Sequence, residues 1–131
     1  SSLPSLASLL ATIAEPTRLR ILNSLAGAPL FVSDLQTLLG LPQPTVSRHL
    51  QALRRAELVR DTPIGQFVLY RLRRDGGAPT RLLAAILDAA AADPALRAER
   101  ELAVVRSRAH TRSRMDDSRP SAAAVRARSP R

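Results

Sequence analysis

The sequence contains no cysteine, no tryptophan and no lysine. Without cysteine the chain can form neither a disulfide nor a thiolate metal site, a composition suited to a reducing compartment. Aromatic residues make up only 2% of the 131 residues. The interior must therefore be filled by Leu, Ala, Val and Ile, which suits helices better than an all-β sandwich. No apolar run approaches the roughly 20 residues that cross a bilayer, and the stretch from Leu6 to Ala14 has neither a basic leader nor a small-residue cleavage pattern after it. A cytoplasmic location without membrane contact is expected. A Gly-rich phosphate loop, a nucleophile motif and a cluster of His with carboxylates are also missing, so no catalytic residue, cofactor or metal site is assigned and an enzyme is not expected.

What is present is a hydrophobic fraction of 45% and a formal net charge of +9, with a sequence pI of about 11.7. The first is ample for one packed unit, and the second favours a polyanionic partner over an acidic small substrate. The charge is uneven. Through Val105 there are 12 Arg against 9 acidic residues, and from Arg106 onward 8 Arg against 2 Asp.

Leu6, Leu9, Leu10 and Ile13 recur at helical spacing until Glu15-Pro16 breaks the run and opens a second helix. That helix carries Leu19, Leu22, Leu25 and Ala26 on one stripe and stops at Gly27, with Pro29 beyond it. Ser33 followed by Gln36 reads as a capping box for a short third helix ending at Gly40. A fourth, from Pro44 to Glu57, follows after a tight turn, which is helix-turn-helix spacing. Leu58 to Thr62 and Gln66 to Leu72 flank Pro63-Ile64-Gly65 and read as a two-stranded hairpin, the wing. Helical spacing returns with Leu82, Leu83, Ile86, Leu87 and Ala90, and Asp93-Pro94 starts a last helix to about Ser107. The expected fold is mainly α with a small β-hairpin, a dimeric winged helix-turn-helix. Residues 1–108 form the domain with its terminal dimerisation helices, and residues 109–131 a disordered Arg-rich tail.

In the fourth helix Val46, Leu50 and Leu53 mark the buried side, leaving Thr45, Arg48, Gln51, Ala52 and Arg55 opposite and Gln43 and Ser47 at the N-terminal end and flank. Taken alone, such a face is the solvated side of an amphipathic helix. After a short helix and a Gly turn, and before a hairpin, it reads as a recognition helix whose hydroxyls, amides and guanidinium reach base edges in the major groove. His49, beside the buried stripe, packs or faces phosphate. The wing tip has no positive charge, so Arg60 and Arg71 nearer its base are the phosphate-contact candidates.

Three segments, Glu15 to Leu22, Leu30 to Leu35 and Gln43 to Leu50, together resemble the ArsR/SmtB family of winged-helix repressors over about residues 5–95. The resemblance implies a homodimer joined by the first and last helices of the fold, double-stranded operator DNA with twofold symmetry, and repression relieved by an effector. Relatives that sense soft metals carry a Cys-x-Cys pair where this chain has Phe31 and Ser33, and the segment Thr80 to Arg100 holds no His for a zinc site. The effector is then either a borderline metal such as nickel, held by His110 with Asp116 and Asp117, or a non-metal ligand in the dimer interface. Pro42 stands where many relatives place a capping Ser. The competing reading is a protein-interaction winged-helix module with non-specific nucleic-acid binding through the basic tail. A metal-buffering protein is a third, poorly supplied with ligands.

Overall fold

The structure, a computed structural model, describes residues 3–117. Helices α1 (Leu3–Ala14) and α2 (Pro16–Gly27) precede strand β1 (Leu30–Phe31) and helices α3 (Val32–Leu39) and α4 (Gln43–Arg55). Strands β2 (Val59–Ile64) and β3 (Phe67–Leu72) and helices α5 (Ala78–Ala90) and α6 (Pro94–Asp117) complete it. Helices α3 and α4 with the β2–β3 hairpin make a winged helix-turn-helix, as the spacing predicts.

Local chemistry sets most boundaries. Pro16 occupies the start of α2, where its missing N–H costs nothing, and the Glu15 carboxylate accepts a hydrogen bond from the Arg18 N–H at 2.8 Å. Helix α3 ends on Gly40 at φ 67°, the left-handed conformation that closes a helix most cheaply at glycine. Its start corrects the predicted Ser33–Gln36 capping box. The third helical residue is Asp34, whose Oδ2 accepts from the Phe31 N–H at 2.9 Å, while Ser33 lies inside the first turn with its hydroxyl unpartnered. Helix α4 starts after Pro42 without a side-chain cap, as the missing Ser implied.

Two further corrections concern the sheet. Pro63 and Ile64, expected in the loop, belong to β2, so the wing closes through a two-residue turn with Gly65 at φ 61°. Strand β1, which is not expected from the sequence, joins the hairpin to give the order β1-β3-β2, with Leu30 opposite Tyr70 and Phe31 opposite Leu69. Two residues are too few to show a period of two, so only the neighbouring strand reveals them.

The core is one cluster of fully buried side chains, including Ile21, Leu22, Leu25, Leu30, Leu35, Val46, Leu50, Leu53 and Leu58. The last helix is the largest departure. It continues to Asp117 rather than ending near Ser107, so the expected domain boundary at 108 falls inside it. The remainder of the expected tail, residues 118–131, lies outside the described residues.

Helix α6 lies along α2 and is fastened mainly by polar groups. Glu99 accepts two-pronged hydrogen bonds from the Arg20 guanidinium, the shorter 2.7 Å, and this pairing holds the Arg20 pKa above its ordinary value despite partial burial. Arg100 donates to Asn23 Oδ1 and to the Leu87 carbonyl, both at 2.8 Å, and Asn23 donates back to the Leu96 carbonyl. Further along, the Ser107 hydroxyl donates to the Pro29 carbonyl at 2.6 Å. The contact is close. A Cβ on Gly27 would stand 2.7 Å from the Arg100 carbonyl oxygen and 3.0 Å from Val104 Cγ2.

Candidate nucleic-acid interface

Helix α4 buries Val46, Leu50 and Leu53 completely and leaves a polar face outward. At its N-terminal end Gln43 is exposed and donates from Nε2 to the Ser47 hydroxyl at 2.7 Å, while Thr45 and Ser47 are half-buried and Arg48 is exposed. Arg48 forms no ion pair among the described residues, so its five donors remain available to an incoming acceptor. Gln51, one turn on, is also exposed. These five residues lie within about two and a half turns of one another.

The other predicted site residues lie elsewhere. Arg55 is exposed at the far end of α4, about 18 Å from Gln43 at 1.5 Å per residue. There it lines a groove of about 740 Å³ with Leu6 and Leu9 of α1 and Pro79 of α5. His49 is half-buried, its Nδ1 3.8 Å from Glu15 Oε2, which is an ion-pair distance and too long for a hydrogen bond. Arg60 and Arg71 face each other directly across β2 and β3, both exposed, at the base of the wing.

A residue that the sequence reading missed orients the hairpin. Arg54, in the last turn of α4, places its Nε 3.4 Å from Asp61 Oδ1 on β2 and so ties α4 to the wing. An exposed Arg next to Arg55 gives no local sign of a partner across the turn. Asp61 lies opposite Tyr70. Burial pushes the Tyr70 phenol above its ordinary pKa, the Asp61 charge adds to the shift and Arg54 opposes it.

His110 does not stand free beside acidic neighbours. Its Nδ1 hydrogen-bonds Asp34 Oδ1, and its ring lies 5.5 Å from that of Phe31. The side chains of Asp116 and Asp117 lie outside the described residues. Among the described residues no group of three or more His, Asp or Glu is arranged to hold a metal ion, and no helix is long and apolar enough to cross a membrane. On α1, Leu6 and Leu10 are 43% and 44% exposed, leaving an apolar stripe that the described residues do not cover.

Residues 15–61 match the sequence model of the bacterial regulatory protein arsR family. The chain is 37% identical over 60 residues to the transcriptional repressor SdpR of Bacillus subtilis, a match covering 46% of this chain and 67% of that protein. It is 41% identical over 63 residues to the HTH-type transcriptional regulator KmtR of Mycobacterium tuberculosis, covering 48% of each. The chain thus spans about half the length of that second relative. Among solved structures, the homodimeric winged helix-turn-helix DNA-binding domain Mb0332 of Mycobacterium bovis superposes with a TM-score of 0.57 at 32% identity, covering 67% of this chain and 80% of that one.

Proposed function

The chain belongs to the ArsR family of bacterial regulatory proteins, and from that premise we propose that it is a sequence-specific DNA-binding transcriptional repressor that acts as a homodimer in the cytoplasm. The observation that carries this reading is the outward face of α4, where Gln43, Thr45, Ser47, Arg48 and Gln51 present amide, hydroxyl and guanidinium groups. Amides and hydroxyls can pair with adenine and other base edges, and a guanidinium can pair with guanine bidentately. His49 and Arg55 flank this surface, and Arg60 and Arg71 add positive potential at the base of the wing.

Homodimerisation is proposed through α1 and α5. Leu6 and Leu10 are exposed on α1, Leu82 and Ile86 are only half-buried on α5, and such a stripe is costly to leave in water. Two recognition helices related by a twofold axis would read half-sites about 34 Å apart. The effector proposed is a non-metal ligand in the dimer interface or a borderline metal such as nickel, because a chain without thiolates offers soft ions such as arsenite no suitable ligand set.

Nuclease footprinting on DNA from the gene's own promoter, with light scattering of the free protein, tests the proposal. Protection of two symmetric half-sites by a dimer is expected. A monomer, or protection that vanishes with salt and shows no sequence preference, would overturn it in favour of a non-specific interaction module.

A further inference from the structure

At the base of the wing, with no residue of α4 in its lining, a recess of about 490 Å³ opens between the end of α2 and the end of β3. Four arginines line it, Arg60, Arg71, Arg73 and Arg74, with Leu25, Pro29 and Leu72 among its apolar walls. The register of the sheet makes this concentration of charge unavoidable. Arg60 and Arg71 are direct cross-strand partners, and like charges so placed destabilise a sheet unless something neutralises them.

Nothing in the described protein does so. The single acid lining the recess, Asp75, is already engaged: Oδ2 stands 3.1 Å from Arg73, while Oδ1 accepts from the Gly77 N–H at 3.0 Å and the Thr80 hydroxyl at 2.9 Å. Arg60, Arg71 and Arg74 form no ion pair with any described residue. The nearest acid on β2, Asp61, points to the opposite face by strand alternation and pairs with Arg54. Three uncompensated guanidinium groups around a concave site supply the paired N–H donors by which arginine takes phosphate oxygens two at a time.

We propose that this recess is a binding site for a small phosphorylated ligand, with Arg60, Arg71 and Arg74 holding the phosphate and Leu25, Pro29 and Leu72 covering a short apolar body. Its volume falls in the range of small-molecule sites, and it combines an apolar wall with a few convergent polar groups. The repressor reading also offers Arg60 and Arg71 to the DNA backbone, so phosphate is the chemistry common to both occupants, and titration of the free protein isolates the small one. The inference does not depend on the repressor reading, because it concerns binding to the free protein.

Titration calorimetry of the full chain with phenyl phosphate, and with inorganic phosphate as the second probe, tests it at an ionic strength below about 0.1 M, where screening is weak. Saturable binding is expected, tighter for phenyl phosphate than for inorganic phosphate. The Arg60→Gln/Arg71→Gln double variant should weaken both at least about tenfold. The two side chains are exposed, so the variant should fold, which its circular dichroism and melting curve check. Arg97→Gln, an exposed arginine of α6 outside the recess, should leave binding unchanged. Absence of saturable binding by the wild type, or binding that the double variant retains, would overturn the proposal. Equal affinity for the two probes would remove the apolar part of the site.

Discussion

Arg106 of α6 places its Nε 3.2 Å from Oδ1 of Asp34 on α3, a carboxylate with no solvent exposure. The same carboxylate accepts from the Phe31 N–H and from His110. A buried charge is tolerable only when it is paired and hydrogen-bonded. Asp34 therefore both starts the first helix of the helix-turn-helix and receives Arg106 and His110 of α6. The neighbouring ring of Phe31 meets Phe67, just after the wing turn, edge-on at 6.2 Å. The middle of α6 is thus joined through Phe31 of β1 and Asp34 of α3 to both the helix-turn-helix and the wing.

Replacing Asp34 with Ala should destabilise the protein by about 2 kcal/mol, below the 3 to 5 kcal/mol typical of breaking a buried pair, because Arg106 and His110 can turn toward water. Urea unfolding followed by circular dichroism measures it. A loss below about 0.5 kcal/mol would place the cluster among ordinary surface ion pairs.

Gly27→Ala should lower stability even though Ala is the better helix former. The added Cβ meets the Arg100 backbone carbonyl, which cannot swing away as a side-chain end could. Overpacking of this kind costs about 1 to 3 kcal/mol against a helix-propensity gain of at most about 1 kcal/mol. A melting temperature equal to or above that of the wild type would show that α6 does not pack on α2 this closely.

Arg48→Ala should weaken specific DNA binding by about 1 to 3 kcal/mol and relax base preference at one position of each half-site, because its exposed guanidinium is unpaired within the described protein. A mobility-shift titration against the operator and single-base variants reads both effects. Unchanged affinity and selectivity would remove Arg48 from the reading surface.

Asp75 should titrate below the usual carboxylate range. The Gly77 N–H is the main cause, followed by the Thr80 hydroxyl, with Arg73 adding a smaller effect. A depressed folded-state pKa means that this local stabilisation is fully present above the ordinary Asp value and disappears as pH falls through the lower, folded value. Carboxyl carbon NMR across an acid titration should show this, and Thr80→Val should move the midpoint upward. An ordinary midpoint in the wild type would mean that the Asp75 turn does not persist in solution.

Much of the fold was legible in the residues. The stripes of α1 to α4, the breaks at Pro16 and Gly40 and the dense Val, Leu and Tyr of the hairpin each act over one or two turns or strands, so the residues within a segment suffice to specify it. The exposed face of α4 was legible for the same reason, since its opposite side is marked by Val46, Leu50 and Leu53.

Tertiary structure decided what depends on residues distant in sequence. Strand β1 exists because β3 offers it hydrogen bonds at Leu69 and Tyr70, and Arg54 meets Asp61 only after the chain turns out of α4. Helix α6 shows the limit most clearly. Its attachments, Glu99 to Arg20, Arg100 to Asn23, Ser107 to Pro29 and His110 to Asp34, join positions more than 70 residues apart, and no continuous apolar stripe announces them. The sequence by itself determined the helix-turn-helix and the exposed face of α4 through local periodicity and turn chemistry. Which polar groups became partners was settled only when folding brought α2, α3 and α6 together, because a hydrogen bond is specified by position in space and leaves no period in the chain.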